Sequence, residues 1–481
     1  MSIQPVGQIC FEFFGKNPQI VVEATDEQSS SDAGLLAIRE FDERLGLTHD
    51  FAAALSDPRK QEAVEHDVVE MVRSRVYGIL AGYEDQNDHD TLRGDPIFKL
   101  IADRLPLDDD LASQPTLSRF ENAIDIASLW RLQDVFIDKF IDSFDEPPRE
   151  ITLDIDPFDD PTHGQQQLTF FHGYYGQYQY LPRVITCAQN DLVVMVCLLF
   201  GTAAPFLGAE DDLRHLVRRL REVWPDVVIH IRGDSALGVP LLYDTCEELG
   251  LFYSFGQKMN PRLQERSENR LQEAISQHER TGQPQRLFEA LEYQAGSWPH
   301  ARWTIVKCEA HAQGTNRRAV TTNRPGALAT PAEAYDEYAD RGESENRNKE
   351  LKCELATDRL SDHRFLANFF RLYLHCLAYN LLARLRRHVA LPPEQTEGEV
   401  PAEALTGSAR RRYFNRRRER DPLGEGHACT WRTRLIKVAA RVTQSARRVL
   451  VQLSKHWPYL SHFTAVSAAV LGRPLATLEP G

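Results

Sequence analysis

At Pro147-Pro148 the hydrophobic period of this 481-residue chain changes, and that change limits the fold more than any other feature. Before it, apolar residues recur every three to four positions, as in amphipathic helices. After it, Ile151-Thr152-Leu153-Asp154-Ile155-Asp156 alternates strictly, as a strand does. The alternation puts Ile151, Leu153 and Ile155 on one face and Thr152, Asp154 and Asp156 on the other. A turn-rich stretch at 157–166 follows, then predicted strands at 168–175, 183–188 and 192–200. The aromatic run Phe170, Phe171, Tyr174, Tyr175, Tyr178 and Tyr180 is expected to pack the sheet. Residues 211–224 read as an amphipathic helix stopped by Pro225, and 227–232 as a buried strand running into Gly233-Asp234-Ser235. A helix at 238–249 and a strand at 251–255 complete the series.

Antiparallel-looking strands followed by helix, strand, helix, strand is the order of an RNase H-like core, so the expected class is α/β. In such a sheet the first and fourth core strands lie side by side. Asp156 and Asp234 are then expected at adjacent strand ends, with Asp154, on the same face, as the alternative to Asp156. Residues 257–300 interrupt the core with a helix at 260–281 and a short strand at 287–293. Sheet resumes at 302–309 and 317–323, and an apolar helix spans 362–388. Residues 389–428 turn from Pro/Glu-rich to arginine-rich (Arg410 to Arg418) and read as a linker, while 430–457 read as a basic helical stretch. The expected organisation is a helical N-terminal domain (1–149), a core in two parts (150–256 and 301–388), an inserted subdomain (257–300), the linker, and a basic helical C-terminal region (429–481).

The N-terminal third opens with a short strand at 19–24. Ser31-Asp32 is the expected cap of a helix through Phe41, residues 64–81 keep a helical period, and Asp95-Pro96 caps a further helix. Another helix opens at Gln114, with Thr116 or Ser118 near its cap. Helix, loop and polar helix start are compatible with a DNA-reading helix-turn-helix, with Arg119 as the candidate contact; an ordinary helical pair is the other reading.

Net charge is −14, but it is unevenly spread: residues 1–150 hold 31 acids and 14 bases, residues 361–481 hold 9 acids and 20 bases. That asymmetry points to a local nucleic-acid surface on an acidic protein. The eight cysteines form no CxxC pair and suit a reducing compartment. No apolar run reaches a membrane span and the first sixteen residues have no signal core, so a cytoplasmic protein is expected.

Tyr338 to Lys352 contains no proline and reads as one helix. Arg341 lies four residues before Glu345, Tyr338 seven before it and Lys352 seven after it, so all four share one stripe. Taken alone, the stripe is either a solvated surface or a site; Glu343 and Glu350, on other faces, read as ordinary surface acids. Two strand-end aspartates and a helix glutamate form an oxygen-only ligand set suited to magnesium or manganese. Paired ions of this kind clamp an in-line phosphoryl transfer. For Asp156 the other reading is a turn cap before Pro157; for Asp234 it is the N-cap of the next helix.

Tyr338, Arg341, Glu345 and Lys352 match the Y-x2-R-x3-E-x6-K signature of DDE transposases from bacterial insertion sequences. Leu153-Asp-Ile-Asp156 with Asp160-Pro-Thr-His-Gly-Gln-Gln166, Arg232-Gly-Asp-Ser235, Thr322-Asn323 and Arg432-x-Arg-Leu-Ile-Lys437 resemble the insertion-sequence 1380 group in particular, over roughly residues 31–463. In that group threonine often stands two residues after the first catalytic aspartate; here Pro157-Phe158 follows Asp156, and the choice against Asp154 stays open.

The resemblance implies two divalent metals held by Asp156, Asp234 and Glu345, with Arg341 and Lys352 on phosphates and Tyr338 on the terminal-repeat backbone. It implies cut-and-paste movement of the encoding element, terminal inverted repeats and target DNA as partners, a homodimer in the DNA complex, and DNA-end binding or dimerisation by the N-terminal domain. Trp298, in the insertion, is a candidate to stack a flipped base, with a buried core tryptophan as its other reading. Arg432 and Lys437 are candidate DNA contacts. The rival functions are a metal-dependent nuclease of the same fold without strand joining, and an inactive DNA-binding relic.

Overall fold

The structure, a computed structural model, describes residues 9–11, 20–59, 62, 64–390, 423–424 and 426–473. The arginine cluster at 410–418 lies outside the described residues. Short strands β1 (Ile9–Phe11) and β2 (Ile20–Val22) pair antiparallel, and β3 (Ser29–Ser30) leads into seven helices. These are α1 (Leu35–Leu45), α2 (Leu47–Ala53), α3 (Val68–Ala81), α4 (His89–Leu92), α5 (Pro96–Ile101), α6 (Gln114–Asn122) and α7 (Ile126–Ile141).

Aspartates start three of the helices: Asp67, Asp95 and Asp125 accept from backbone N–H groups of the first turn, and Pro96 sits where no partner is needed. α1 departs from expectation. It begins after Gly34, and Asp32 is buried in an ion pair with Lys437 (2.6 Å) and a hydrogen bond from the Tyr83 hydroxyl (3.1 Å). The reason is a docked segment. A Cβ at Gly34 would lie 1.7 Å from the Leu435 carbonyl oxygen, so only glycine lets the C-terminal chain approach. α6 is capped at Ser113, ahead of the expected Thr116 or Ser118.

The sheet follows: β4 (Glu150–Pro157), β5 (Asp160–Pro161), β6 (Phe170–His172), β7 (Gln177–Cys187), β8 (Val193–Phe200), α8 (Ala209–Val223), β9 (Val228–Gly233), α9 (Pro240–Glu248) and β10 (Phe252–Gln257). Five strands lie in the order β8-β7-β4-β9-β10; β4–β9 and β9–β10 are parallel, and β4–β7 and β7–β8 antiparallel. This is the strand order of an RNase H-like core. Beyond it come α10 (Pro261–Arg266), α11 (Glu268–Thr281), β11 (Gln285–Tyr293), β12 (Arg302–His311) and β13 (Gly314–Thr322). β13 pairs antiparallel with β10, and β12 and β11 follow in antiparallel order, so the strand within residues 257–300 joins the same sheet through β12 and β13. The single helix expected at 260–281 is two, divided at Ser267.

α12 (Pro331–Ala339), α13 (Gly342–Lys349), a π-helical turn (Glu350–Glu354) and α14 (Phe365–Val389) then cover the sheet. The strand edge at β8 is closed by side-chain amides. Gln133 of α7 exchanges hydrogen bonds with Val194 and Val196, and Asn380 of α14 does the same with Val193. Each amide supplies the donor and acceptor that a neighbouring strand would. One continuous apolar cluster runs from Ala33 to Val470, joining the N-terminal helices, the sheet and the C-terminal segment.

The C-terminal region is α15 (Ala428–Trp431), β14 (Ala440–Ser445), β15 (Arg448–Leu453) and α16 (Leu460–Leu471). The basic helix expected over 430–457 is therefore corrected to a hairpin, with β14 also paired to β3. Ala440 and Val442 are buried and alternate with exposed Arg441 and Thr443. That period of two was hidden under the abundant arginines.

Candidate functional site

The site is built where β4 and β9 end. Their parallel register pairs Ile155 with Gly233, so Asp156 and Asp234 follow at adjacent strand ends. Asp234 Oδ1 accepts from the Ala236 N–H (2.8 Å) and shapes the turn; α9 starts only at Pro240, so Asp234 is not a helix cap. The expected single helix over Tyr338–Lys352 is two helices and a π turn. At the junction Arg341 N–H bonds Tyr338 O (3.0 Å), Glu343 N–H bonds Asp340 O (3.0 Å) and Ser344 N–H bonds Arg341 O (2.8 Å). These three-residue steps overwind the chain, and the π turn after Lys349 underwinds it.

The change of winding decides which side chains meet β4. Ser344 Oγ (3.0 Å) and Asn348 Nδ2 (2.8 Å) both donate to Asp156 Oδ2, and Arg341 Nη1 stands 3.6 Å from the same oxygen. Burial, first, and the negative charges of Asp234 and Asp154 push the Asp156 carboxyl up to about 6, against the pull of Arg341 and Ser344. Asp154 is treated differently. Burial raises its pKa too, but Arg232 grips it with two hydrogen bonds (2.7 and 2.9 Å) and Arg347 adds a third at 3.2 Å, so it stays below the usual carboxylate range.

Glu345 lies on the same helix one residue after Ser344, with its side chain 68 % exposed and 3.4 Å from Arg341 Nη2. Arg341 Nε and Nη1 are buried and make no hydrogen bond. The Tyr338 hydroxyl lies against Gly256, where a Cβ would come within 2.8 Å of it. Lys352 pairs with Asp159 at 2.6 Å.

The sequence model of the family "Transposase DDE domain group 1" matches residues 13–401. The chain belongs to this transposase family. Among solved structures it is similar to a piggyBac transposase synaptic complex with hairpin DNA, at 14% identity and a TM-score of 0.39 over 82% of each chain. No curated protein matches it.

Other residues singled out in this transposase-family chain fall elsewhere. Arg119 is exposed on α6, its Nη2 donating to Thr116 Oγ1 (3.1 Å). Trp298 is buried, edge-on to Tyr243 (5.2 Å) and Tyr293 (5.5 Å) with the Arg302 guanidinium 5.7 Å from its ring, which leaves no face for a base. Arg432 donates to the carbonyls of Leu80, Ile79 and Glu354, and Lys437 serves Asp32 and sits 3.9 Å over the Tyr83 ring. Both pin the C-terminal segment to α3 and its surroundings. Glu350 is corrected as well. It is buried, with two hydrogen bonds from Arg386 (2.8 and 3.2 Å) and one from the Ala428 N–H (2.8 Å).

Ser344, Asn348 and Arg347 were not singled out in the sequence, and Arg232 was quoted only as part of the Arg232-Gly-Asp-Ser235 motif, without a role. For the first two a signal existed: they are spaced i, i+4 on the same helix as Glu345. Among the described residues, two groups bring three His or carboxylate ligand atoms within 4.8 Å: Glu150, His230 and Glu337, and Asp244, Glu247 and His300. Each already holds a guanidinium, Arg324 in the first and Arg302 in the second. Asp156, Asp234 and Glu345 are not drawn in as tightly. The described helices include none long and apolar enough to cross a membrane.

Proposed function

We propose that the chain is the transposase of a bacterial insertion sequence of the 1380 group, cutting DNA at terminal inverted repeats and joining the freed end to target DNA. The observation that carries this is Asp156: a buried carboxylate beside a second carboxylate at the next strand end, raised to about 6 by burial first and by its carboxylate neighbours, with Arg341 offsetting only part of the rise. That donor set is oxygen-only and hard, which fits magnesium or manganese. Asp156 and Asp234 are the residues that would hold the ions, with Glu345 as the third ligand. A metal held there would supply Lewis-acid activation of water or a 3′-hydroxyl and would offset charge on the leaving oxygen.

The chain's own residues do the rest. Ser344 and Asn348 fix the Asp156 rotamer by donating to one of its oxygens. Arg341 offers unused N–H groups beside Asp156, as a phosphate at the cut requires. Lys352 exchanges Asp159 for a phosphate, and Tyr338 lines the same edge from the Asp234 side. Arg119 is the N-terminal candidate for the DNA ends, and a homodimer holds two ends together.

The test is cleavage and strand transfer on the DNA ends that flank the gene, with magnesium, in the native protein and in Asp156→Ala, Asp234→Ala and Glu345→Ala. Each variant is expected to lose both steps. Full activity of Glu345→Ala overturns the ligand set; cleavage without joining in the native protein makes it a nuclease.

A further inference from the structure

The hairpin of β6 and β7 is built unlike the rest of the sheet. Gly173-Tyr174-Tyr175-Gly176 turns the chain, closed by the Gly176 N–H on the His172 carbonyl (2.8 Å), with Gly176 at φ +67°. A Cβ on either glycine would meet nothing within 4 Å, so the turn stands in open space. The expectation that these aromatics pack the sheet holds for Tyr180, which is buried. Tyr174, Tyr178, Phe171 and Tyr175 are 87, 58, 52 and 44 % exposed. Phe171 and Tyr178 cross at 5.6 Å and 68°, Tyr174 and Tyr175 at 5.1 Å and 90°, so within each pair the rings meet edge-on rather than stacking face to face. Four exposed aromatic rings on one short hairpin mark a contact surface.

Its place identifies the contact. Gln177 donates to Asp159 (3.2 Å), the partner of Lys352, which ties the hairpin to the helix pair over Asp156. Burial first, then the charges of Asp159, Tyr174, Asp234 and Asp156, raise the Tyr175 phenol, so the turn lies within electrostatic reach of the strand-end carboxylates. From His163 to Pro182 the sequence has no lysine or arginine. Such a surface offers a phosphate no positive charge, whereas uncharged base faces suit both its rings and its acidic neighbours.

We infer that the β6–β7 hairpin is a stacking platform for unpaired bases of the DNA strand whose phosphate sits at Asp156 and Asp234. The inference rests on reading that site as DNA-processing. The platform holds a melted end in place by ring–base contact, without reading its sequence.

The test uses full-length protein with calcium in place of magnesium, so that binding is read without chemistry. The probes are a blunt duplex and the same duplex with a three-nucleotide unpaired tail carrying 2-aminopurine. The native protein is expected to bind the tailed duplex about tenfold more tightly and to quench the fluorophore. Tyr174→Ala with Tyr175→Ala is expected to abolish quenching and the preference while leaving blunt-duplex affinity and the melting temperature unchanged; Tyr175→Phe is expected to keep both. Equal affinity for the two probes in the native protein overturns the inference. So does undiminished quenching in the double variant, or a shift of the monomer–dimer balance as its only effect. Loss of cleavage in Asp156→Asn with quenching retained separates this result from the catalytic reading, which fails on its own if the native protein cuts no flanking end.

Discussion

Asp154 and Asp156 lie two residues apart on one face of one strand, both buried, and their surroundings differ in kind. Asp154 has two guanidiniums and stays ionised. Asp156 has a hydroxyl, an amide, a more distant arginine and a second carboxylate nearby, and is pushed up to about 6. Compensated charge marks a structural carboxylate. Charge that its neighbours compensate only in part, kept in spite of its burial, leaves room for a cation from outside. The Arg75–Glu121–Arg371 group, which ties α3, α6 and α14 together, follows the Asp154 pattern: Glu121 is fully buried and lowered to about 2.

The contrast can be broken in several places. The largest effect expected is for Asp154→Ala, which leaves Arg232 and Arg347 buried without their shared anion. Denaturant unfolding should show a loss of about 5 kcal/mol, the upper end for a broken buried pair. A loss below ~1 kcal/mol erases the distinction between the two aspartates. Asp156→Asn should do the reverse: stability unchanged or raised, since repulsion with Asp234 is removed, and strand cleavage down about a thousandfold, or ~4 kcal/mol in the barrier.

Glu121→Gln sharpens the structural half through pH. With a folded pKa lowered from 4.5 to about 2, Glu121 contributes fully above pH 4.5 and its contribution disappears as pH falls through 2. The native-minus-variant stability should be about 3 kcal/mol at neutral pH, by the usual ~1.4 kcal/mol per unit, and close to zero near pH 2. A difference that does not vary with pH contradicts it. The smallest effect belongs to Lys352→Ala. Its ion pair is partly exposed and worth below ~1 kcal/mol of stability. If it exchanges Asp159 for a phosphate, the salt slope of DNA-end binding should fall by about one.

Much of the scaffold was legible because it is local. The strict alternation of 151–156 and the Gly-Asp-Ser after β9 were enough to put two aspartates at neighbouring strand ends. The part that failed depends on long-range partners. Nothing near Glu350 announces Arg386, thirty-six residues on, so a buried acid looked like a surface one. Ser344 and Asn348 share a face at i, i+4 spacing, but the stripe was drawn through Glu345, and the winding change across Arg341–Glu354 that turns their face to β4 is invisible to a fixed 3.6-residue period. Arg432 and Lys437 were read by charge alone, and charge does not say that α3 and Asp32 stand ready to receive them. The hairpin aromatics misled because apolar rings usually go inside, and theirs do not.

The most direct test of the Asp156 claim is calorimetric titration of manganese into the native protein and into Asp156→Asn, each checked for folding by its melting temperature. The account predicts that the native protein binds manganese and that Asp156→Asn binds at least tenfold more weakly while melting no lower. Undiminished manganese binding in a folded Asp156→Asn protein would contradict it.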